Sequence, residues 1–433
     1  MVIKMKLFQP KIATAFKGYR PKDYLSDIIA GVIVAIIALP LSIALAIASG
    51  AAPETGLFTA IIAGFVTALL GGSRVNISGP TAAFATIVAG IILTQGMDGL
   101  FLATIMAGLL LILMGVLRVG SLIKYIPHTI TIGFTAGIAV TLVVGQLKDF
   151  LGLSYPAGTV AIETVDKLSL VVENISTFNP WALVIGLMGV AILVLWTKVS
   201  KKIPGSLIAV LAGSLLCLIP PVNVNTIGSL YTISSALPSF HLPEISGERI
   251  LALLPSAVTI ALLAGIESLL SCVVSDKMLG DQHNSNTELI ALGTSNLLVG
   301  CFGGIPATGA IARTAANVKN GGKSPLSGMV HAVVLLLILV ILMPLASYIP
   351  MPIIAAILFV VAYNMSEWRE FVAILKTKKW NDILVLVLTF ALTVIFDLVK
   401  AIAVGLVLHY AIVLVYSLIA KRRAKKGAET KTE

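Results

Sequence analysis

Two ionisable side chains stand inside long apolar runs: Glu267, in Gly265-Ile266-Glu267-Ser268-Leu269-Leu270-Ser271, and Arg313, in Gly309-Ala310-Ile311-Ala312-Arg313-Thr314. A charge at such a depth costs roughly 2.5–3.5 kcal/mol on insertion scales, so each marks a site or a buried pair. A carboxyl there can bind and release a coupling proton. Ser271 lies four residues beyond Glu267, on the same helical face. A carboxylate, a hydroxyl and nearby carbonyls are also an oxygen set for Na⁺. The bland alternatives are a structural ion pair between Glu267 and Arg313, and an Arg313 that snorkels to the interface.

Two short segments carry the second chemical signal. One opens with Ser78-Gly79-Pro80-Thr81, the other with Pro306-Ala307-Thr308-Gly309, and each follows a glycine pair, Gly71-Gly72 and Gly303-Gly304. Proline suits a first helical turn, where no N–H is needed. Short, Gly/Pro-interrupted apolar segments at matching places in two halves of a chain point to a transporter's binding site. Two half-helices that start near the bilayer midplane present free N–H groups and positive dipole ends to each other. That arrangement suits an anion.

The elements that hold these residues are membrane spans. Of 433 residues, 58% are apolar and 12% charged, with a mean hydropathy of +1.03. Soluble domains carry about a quarter charged residues, so a soluble enzyme, a disordered scaffold and a nucleic-acid binder are excluded. Apolar segments fall at 28–49, 56–71, 79–95, 99–117, 127–150, 180–198, 204–220, 250–275, 287–302, 306–317, 326–344, 350–363, 382–397 and 399–420, fourteen in all. The first run exceeds the roughly 7–15 residues of a signal-peptide core and reads as a retained span. Cys217, Cys272 and Cys301 lie in apolar stretches with no CxxC spacing, which points away from disulfides and zinc.

The net charge is +10. Counting alternate inter-segment stretches from the N-terminus, 25 of the 30 Lys and Arg residues fall on one side. Lys148, Lys167, Arg249 and Lys400 fall on the other, and Arg313 within a segment. The positive-inside rule then places both termini in the cytoplasm. Seven segments per half is an odd number, so the second half enters the membrane upside down. The sequence thus predicts an all-α polytopic membrane protein of 14 transmembrane segments in two inverted repeats of seven. The expected layout is a cytoplasmic N-terminal segment (1–26), a first repeat (27–220), an extracellular connector (221–249), a second repeat (250–420) and a basic cytoplasmic tail (421–433).

These motifs resemble the SulP family of anion transporters, the sulfate permeases or solute carrier family 26. The resemblance rests on Gly56-Leu57-Phe58-Thr59-Ala60, Leu70-Gly71-Gly72-Ser73 and Ser78-Gly79-Pro80-Thr81. It also rests on His283-Asn284-Ser285-Asn286, Glu288-Leu289-Ile290-Ala291, Gly303-Gly304-Ile305-Pro306 and Gly309 through Asn317. It covers about residues 20–420. It implies core and gate subdomains, an anion between the third and tenth segments, a homodimer, H⁺ or Na⁺ coupling at the Glu267 position, and an Arg313 that lends positive potential. Family members usually carry a STAS domain after the last span, and this sequence, ending at Glu433, holds none. Leu41-Ser42 follows Pro40 where sulfate-type members have Gln, and Ile311-Ala312 stand where hydroxyl residues are common. The Leu-Pro-Leu pattern is also similar to that of bacterial bicarbonate transporters.

The resulting expectation is a secondary active transporter of a small oxyanion or carboxylate (sulfate, bicarbonate or a dicarboxylate) working by alternating access in a bacterial inner membrane. The substrate site would comprise Thr81, Ala82, Ala83, Thr308, Gly309, Ala310, Ile311 and Arg313, lined by Ser42 and Leu45 of the first span. Glu267 and Ser271 would carry the coupling ion, with Na⁺ also meeting Gly309, and no cofactor is called for. A bulky side chain at Gly309 would block the anion. The alternatives are an uncoupled exchanger or channel on the same scaffold, and a nucleobase permease, which would need a carboxylate pair. A membrane enzyme has no nucleophile–base pair or metal cluster to rest on.

Overall fold

The computed structural model describes residues 8–121, 127–156, 159, 161, 163–200, 203–377, 379–395 and 404–405. The chain opens with one turn, α1 (Ile12–Ala15), and a long helix, α2 (Pro21–Ala48). Pro21 takes the first turn of α2, and the Arg20 N–H donates to the Asp23 carboxylate at 3.1 Å, a charged cap at the positive end of the dipole. Helix α3 (Pro53–Leu70) also starts on proline. A two-residue strand, β1 (Ser78–Gly79), and a 3₁₀ turn over Ala82–Phe84 lead into α4 (Ala85–Val116). Helix α4 is broken at Gly96, whose φ of 69° lies where a β-carbon is resisted. The apolar segments 79–95 and 99–117 meet at this break.

Next come α5 (His128–Leu151), the short amphipathic α6 (Thr164–Glu173), α7 (Pro180–Val199), α8 (Gly205–Leu216) and one turn, α9 (Ile227–Leu230). The second half holds α10 (Gly247–Leu279), α11 (Ser285–Cys301), β2 (Thr308–Gly309), α12 (Ile311–Lys319), α13 (Pro325–Leu342), α14 (Met351–Met365), α15 (Trp368–Lys376) and α16 (Trp380–Ile395). Among the described residues, eight helical stretches are long and apolar enough to cross a membrane, and α8 and α16 are shorter apolar helices. Of the segment 399–420 only residues 404–405 are described, and the tail 421–433 lies outside the described residues.

Contacts divide the chain into two units, and the division cuts across the sequence halves. The larger comprises Met1–Ile123, Leu142–Ile162 and Asp166–Val360. Its tightest helix pair is α4 with α11. A β-carbon at Gly108 would lie 2.7 Å from the Gly293 carbonyl, and one at Gly115 would lie 2.8 Å from the Asn286 carbonyl. Lipid gives no hydrophobic drive between spans, so small residues that let backbones approach supply the packing. The smaller unit comprises Lys124–Thr141, Glu163–Val165 and Val361–Glu433. Within it, Gly133 and Gly137 of α5 face Leu386 to Thr393 of α16, a small-x-x-x-small pairing of the same kind.

Candidate functional site

In the larger unit, β1 and β2 pair antiparallel, Ser78 opposite Gly309 and Gly79 opposite Thr308. Backbone polar groups at membrane depth need partners, and this pairing supplies them where both helices are interrupted. The contact extends beyond the strands. The Ala310 N–H donates to the Ile77 carbonyl at 2.8 Å, and the Ile77 N–H donates to the Thr314 hydroxyl at 3.0 Å. Neither proline sits in a helical first turn as the spacing predicts. Pro80 precedes Thr81, the cap of the 3₁₀ turn, and Pro306 lies upstream of β2. Both act on the extended segments, where proline's fixed φ costs nothing.

From the crossing, one chain turns through Pro80 and Thr81 into α4, the other through Ala310 into α12. The α12 cap, Ala310, has no side-chain bond to give, and the Thr81 hydroxyl reaches the Ala83 N–H only at 3.5 Å. First-turn N–H groups have no intrahelical partner, so both starts are donor-rich. Thr81 and Ala310 keep part of their surface, and Ile311 is 38% exposed with Ala312 exposed beside it. Ala82, Ala83, Thr308 and Gly309 are buried. Partly accessible Glu267 lies near the Thr81 side chain, which brings α10 beside the start of the first half-helix.

Arg313 is 1% exposed, so it does not snorkel. Its Nη2 donates to the Pro80 carbonyl at 3.1 Å, while Nε and Nη1 have no partner. Among the described residues no ion pair joins it to Glu267, so Glu267 is not its structural counter-ion. Gly79 makes room for the guanidinium: an added β-carbon would collide with Nη1. His331 of α13 is fully buried with both ring nitrogens unpartnered and within electrostatic reach of Arg313. In the sequence it is one histidine in an apolar run, with nothing to single it out.

Other expected site residues are placed elsewhere. The Thr308 hydroxyl is spent on the Ala264 carbonyl at 2.7 Å. Ser271 is fully buried and bonds to Asn76 Oδ1 at 2.7 Å and Thr314 Oγ1 at 3.0 Å, not to Glu267. A β-carbon at Gly309 would lie 2.6 Å from Asn76 Nδ2 and 2.8 Å from Ser268 Oγ. A bulky residue there would therefore break packing rather than screen an anion. Ser42 and Leu45 are buried in α2, the Ser42 hydroxyl without a partner. Thr81, Glu267, Ala310 and Ile311 thus each keep part of their surface around the crossing, and Arg313 is buried against Gly79 and Pro80. Two buried polar residues on the approach to β1, Asn76 and its partner Glu288, carry no chemical signal in the sequence. Asn76 reads as a glycosylation sequon, and Glu288 as part of a motif.

Comparison with known proteins identifies the family. The sulfate permease family matches residues 24–389. The putative sulfate transporter YvdB of Bacillus subtilis (strain 168) is 44% identical over 404 residues, 91% of this chain and 74% of that protein. The bicarbonate transporter BicA of Picosynechococcus is 33% identical, covering 88% of this chain and 68% of that protein. Among solved structures, the transmembrane domain of a cyanobacterial BicA superposes with a TM-score of 0.79 at 31% identity. That match covers 89% of this chain and 98% of that one. A structure of SLC26A9 shares the fold, with a TM-score of 0.84 at 19% identity over 93% of this chain and 67% of that one. A strand crossing between two donor-rich helix starts, on a membrane-domain fold matched over most of its length, places the chain in the sulfate permease family of multi-pass membrane transporters.

Proposed function

We propose that this protein is a secondary active transporter that carries a small oxyanion or carboxylate by alternating access. The observation that supports it is the meeting of the α4 and α12 starts at the β1–β2 crossing, where the Ala310 cap has no side-chain bond and Arg313 is buried beside Pro80. Helix N-termini favour negative charge, and a buried guanidinium with two unpartnered groups adds to that potential. A relative named a putative sulfate transporter and another named a bicarbonate transporter support this substrate class, with bicarbonate favoured by the absence of a hydroxyl at Ile311 and Ala312. Glu267, beside Thr81, is the coupling group. H⁺ is the preferred ion, because Ser271 and Gly309 are committed to the Asn76 packing. The functional unit is a homodimer in a bacterial plasma membrane with both termini cytoplasmic, its two halves forming inverted repeats.

The test is uptake into liposomes of sulfate, bicarbonate and fumarate, each under an imposed H⁺ or Na⁺ gradient. Accumulation of one anion under a proton gradient supports the reading. Anion currents with no saturable, gradient-linked accumulation would identify a channel on the same scaffold instead.

A further inference from the structure

We infer that Glu288 and Asn76 form a hydrogen-bond relay that sets the position of both half-helix starts. Glu288 is then a positioning residue that acts on the anion without touching it, an inference that rests on the anion-transport reading above. Glu288, in the first turn of α11, is fully buried. Its Oε2 accepts from the N–H groups of Gly72 at 2.8 Å and Ser73 at 3.0 Å. Its Oε1 accepts from Asn76 Nδ2 at 2.7 Å. These donors lie in the segment that runs into β1.

The direction of every later bond follows from the first. A carboxylate only accepts, and a side-chain amide has one accepting and one donating end. Asn76 must therefore turn its NH₂ toward Glu288 and its Oδ1 away. Oδ1 then accepts from the hydroxyls of Ser271 at 2.7 Å and Thr314 at 3.0 Å. With its proton given to Asn76, Thr314 Oγ1 is left to accept the Ile77 N–H at 3.0 Å. The Ile77 carbonyl in turn accepts from the Ala310 N–H at 2.8 Å. Ala310 is the cap residue of α12. One chain of bonds with one polarity thus runs from α11, through the approach to β1, to the residue from which the second half-helix starts. In a dry interior a reversed link leaves a donor facing a donor, which costs the desolvation of both groups.

The polarity makes the relay testable by moving the carboxylate. Glu288→Gln puts an NH₂ against either the Gly72 and Ser73 N–H groups or the Asn76 amide, and Asn76→Asp sets two carboxylates face to face. The double variant, Glu288→Gln with Asn76→Asp, restores the pattern. Its new amide accepts from Gly72 and Ser73 and donates to the new carboxylate, which in turn accepts from Ser271 and Thr314. With the purified full chain, hydrogen–deuterium exchange is followed in peptides spanning 72–83 and 308–317, and binding of bicarbonate and of sulfate is titrated separately. Each single variant should raise exchange in both peptides and weaken binding by about tenfold or more. The double variant should return both to within about threefold of the unsubstituted chain. A purely structural role would lower the melting temperature and leave the affinity of the folded protein unchanged, which overturns the inference. So would losses that simply add in the double variant. If both single variants fail to fold, a double variant that folds with native exchange carries the inference, and one that does not sinks it. An unsubstituted chain that binds neither anion would count against the proposed function, and the exchange measurement would still decide the relay.

Discussion

Arg313 Nη2 donates to the Pro80 carbonyl at 3.1 Å, so a cation from the second half of the chain is anchored on the backbone that starts the first half-helix. The contact depends on Gly79, against which Nη1 lies too close for any β-carbon. Gly79→Ala should displace the guanidinium and break the bond to Pro80. A hydrogen bond from a charged donor is worth about 1.5–3 kcal/mol, so the variant should melt earlier and take up anion more slowly. Unchanged melting and uptake would show that the close approach is dispensable.

Glu267→Gln keeps shape and hydrogen-bonding capacity while removing charge and titration. Because Glu267 meets Thr81 and makes no ion pair with Arg313, the variant leaves no buried cation stranded and should fold normally. Accumulation driven by a gradient should vanish, while anion binding to the purified protein and anion-for-anion exchange persist. A stable variant that still concentrates anion would remove the coupling role from Glu267.

The positive-inside count predicts which face is which. A cysteine at exposed Lys17 should react with a membrane-impermeant maleimide only after permeabilisation. A cysteine at exposed Ser239, in the connector, should react in intact cells. Of the natural thiols, Cys272 and Cys301 are buried, so the intact chain gives a low background apart from half-buried Cys217. Labelling of Lys17→Cys from outside would invert the topology.

Asp281, in the turn between α10 and α11, holds Lys11 Nζ and Arg74 Nε at 3.0 Å each. Burial pushes its carboxyl up, but the Gln282 N–H and the two cations outweigh this and hold it below its usual value of 3.8. A carboxyl lowered in the folded state contributes stability above the ordinary carboxylate range and loses it as pH falls through the folded value. Asp281→Asn should therefore lower the melting temperature near neutral pH, with the gap to the unsubstituted chain closing at acid pH. A gap that persists at low pH would assign the effect to packing.

Much of this is legible in the sequence because membranes simplify the code. Long apolar runs mark spans, and the glycine pairs at 71–72 and 303–304 bracket the approach to the crossing. Glu267 and Arg313 stand out because charge is rare there. What does not show is partnership across the fold. Ser271 shares a helical face with Glu267, yet Asn76, 195 residues away, claims its hydroxyl. Gly309 looks like open backbone and is a packing contact. His331 and Glu288 are each one polar letter among many, and only the folded chain shows what surrounds them. Helices α6 and α15 escape the segment count because their apolar faces are too short to read as spans.

The strand crossing also constrains how the protein can be made. Ile77 finds its hydroxyl partner, Thr314, 237 residues later in the chain, and the partners of Ser78 and Gly79 emerge at the same late stage. During synthesis the first half reaches the bilayer with its broken segment still lacking these bonds, in a solvent that offers none. Residues 72–79 must wait in water, in the insertion machinery or at the interface until the second half arrives. The crossing is thus among the last parts of the molecule to form, and a ribosome stalled before β2 and α12 releases a chain in which it cannot exist.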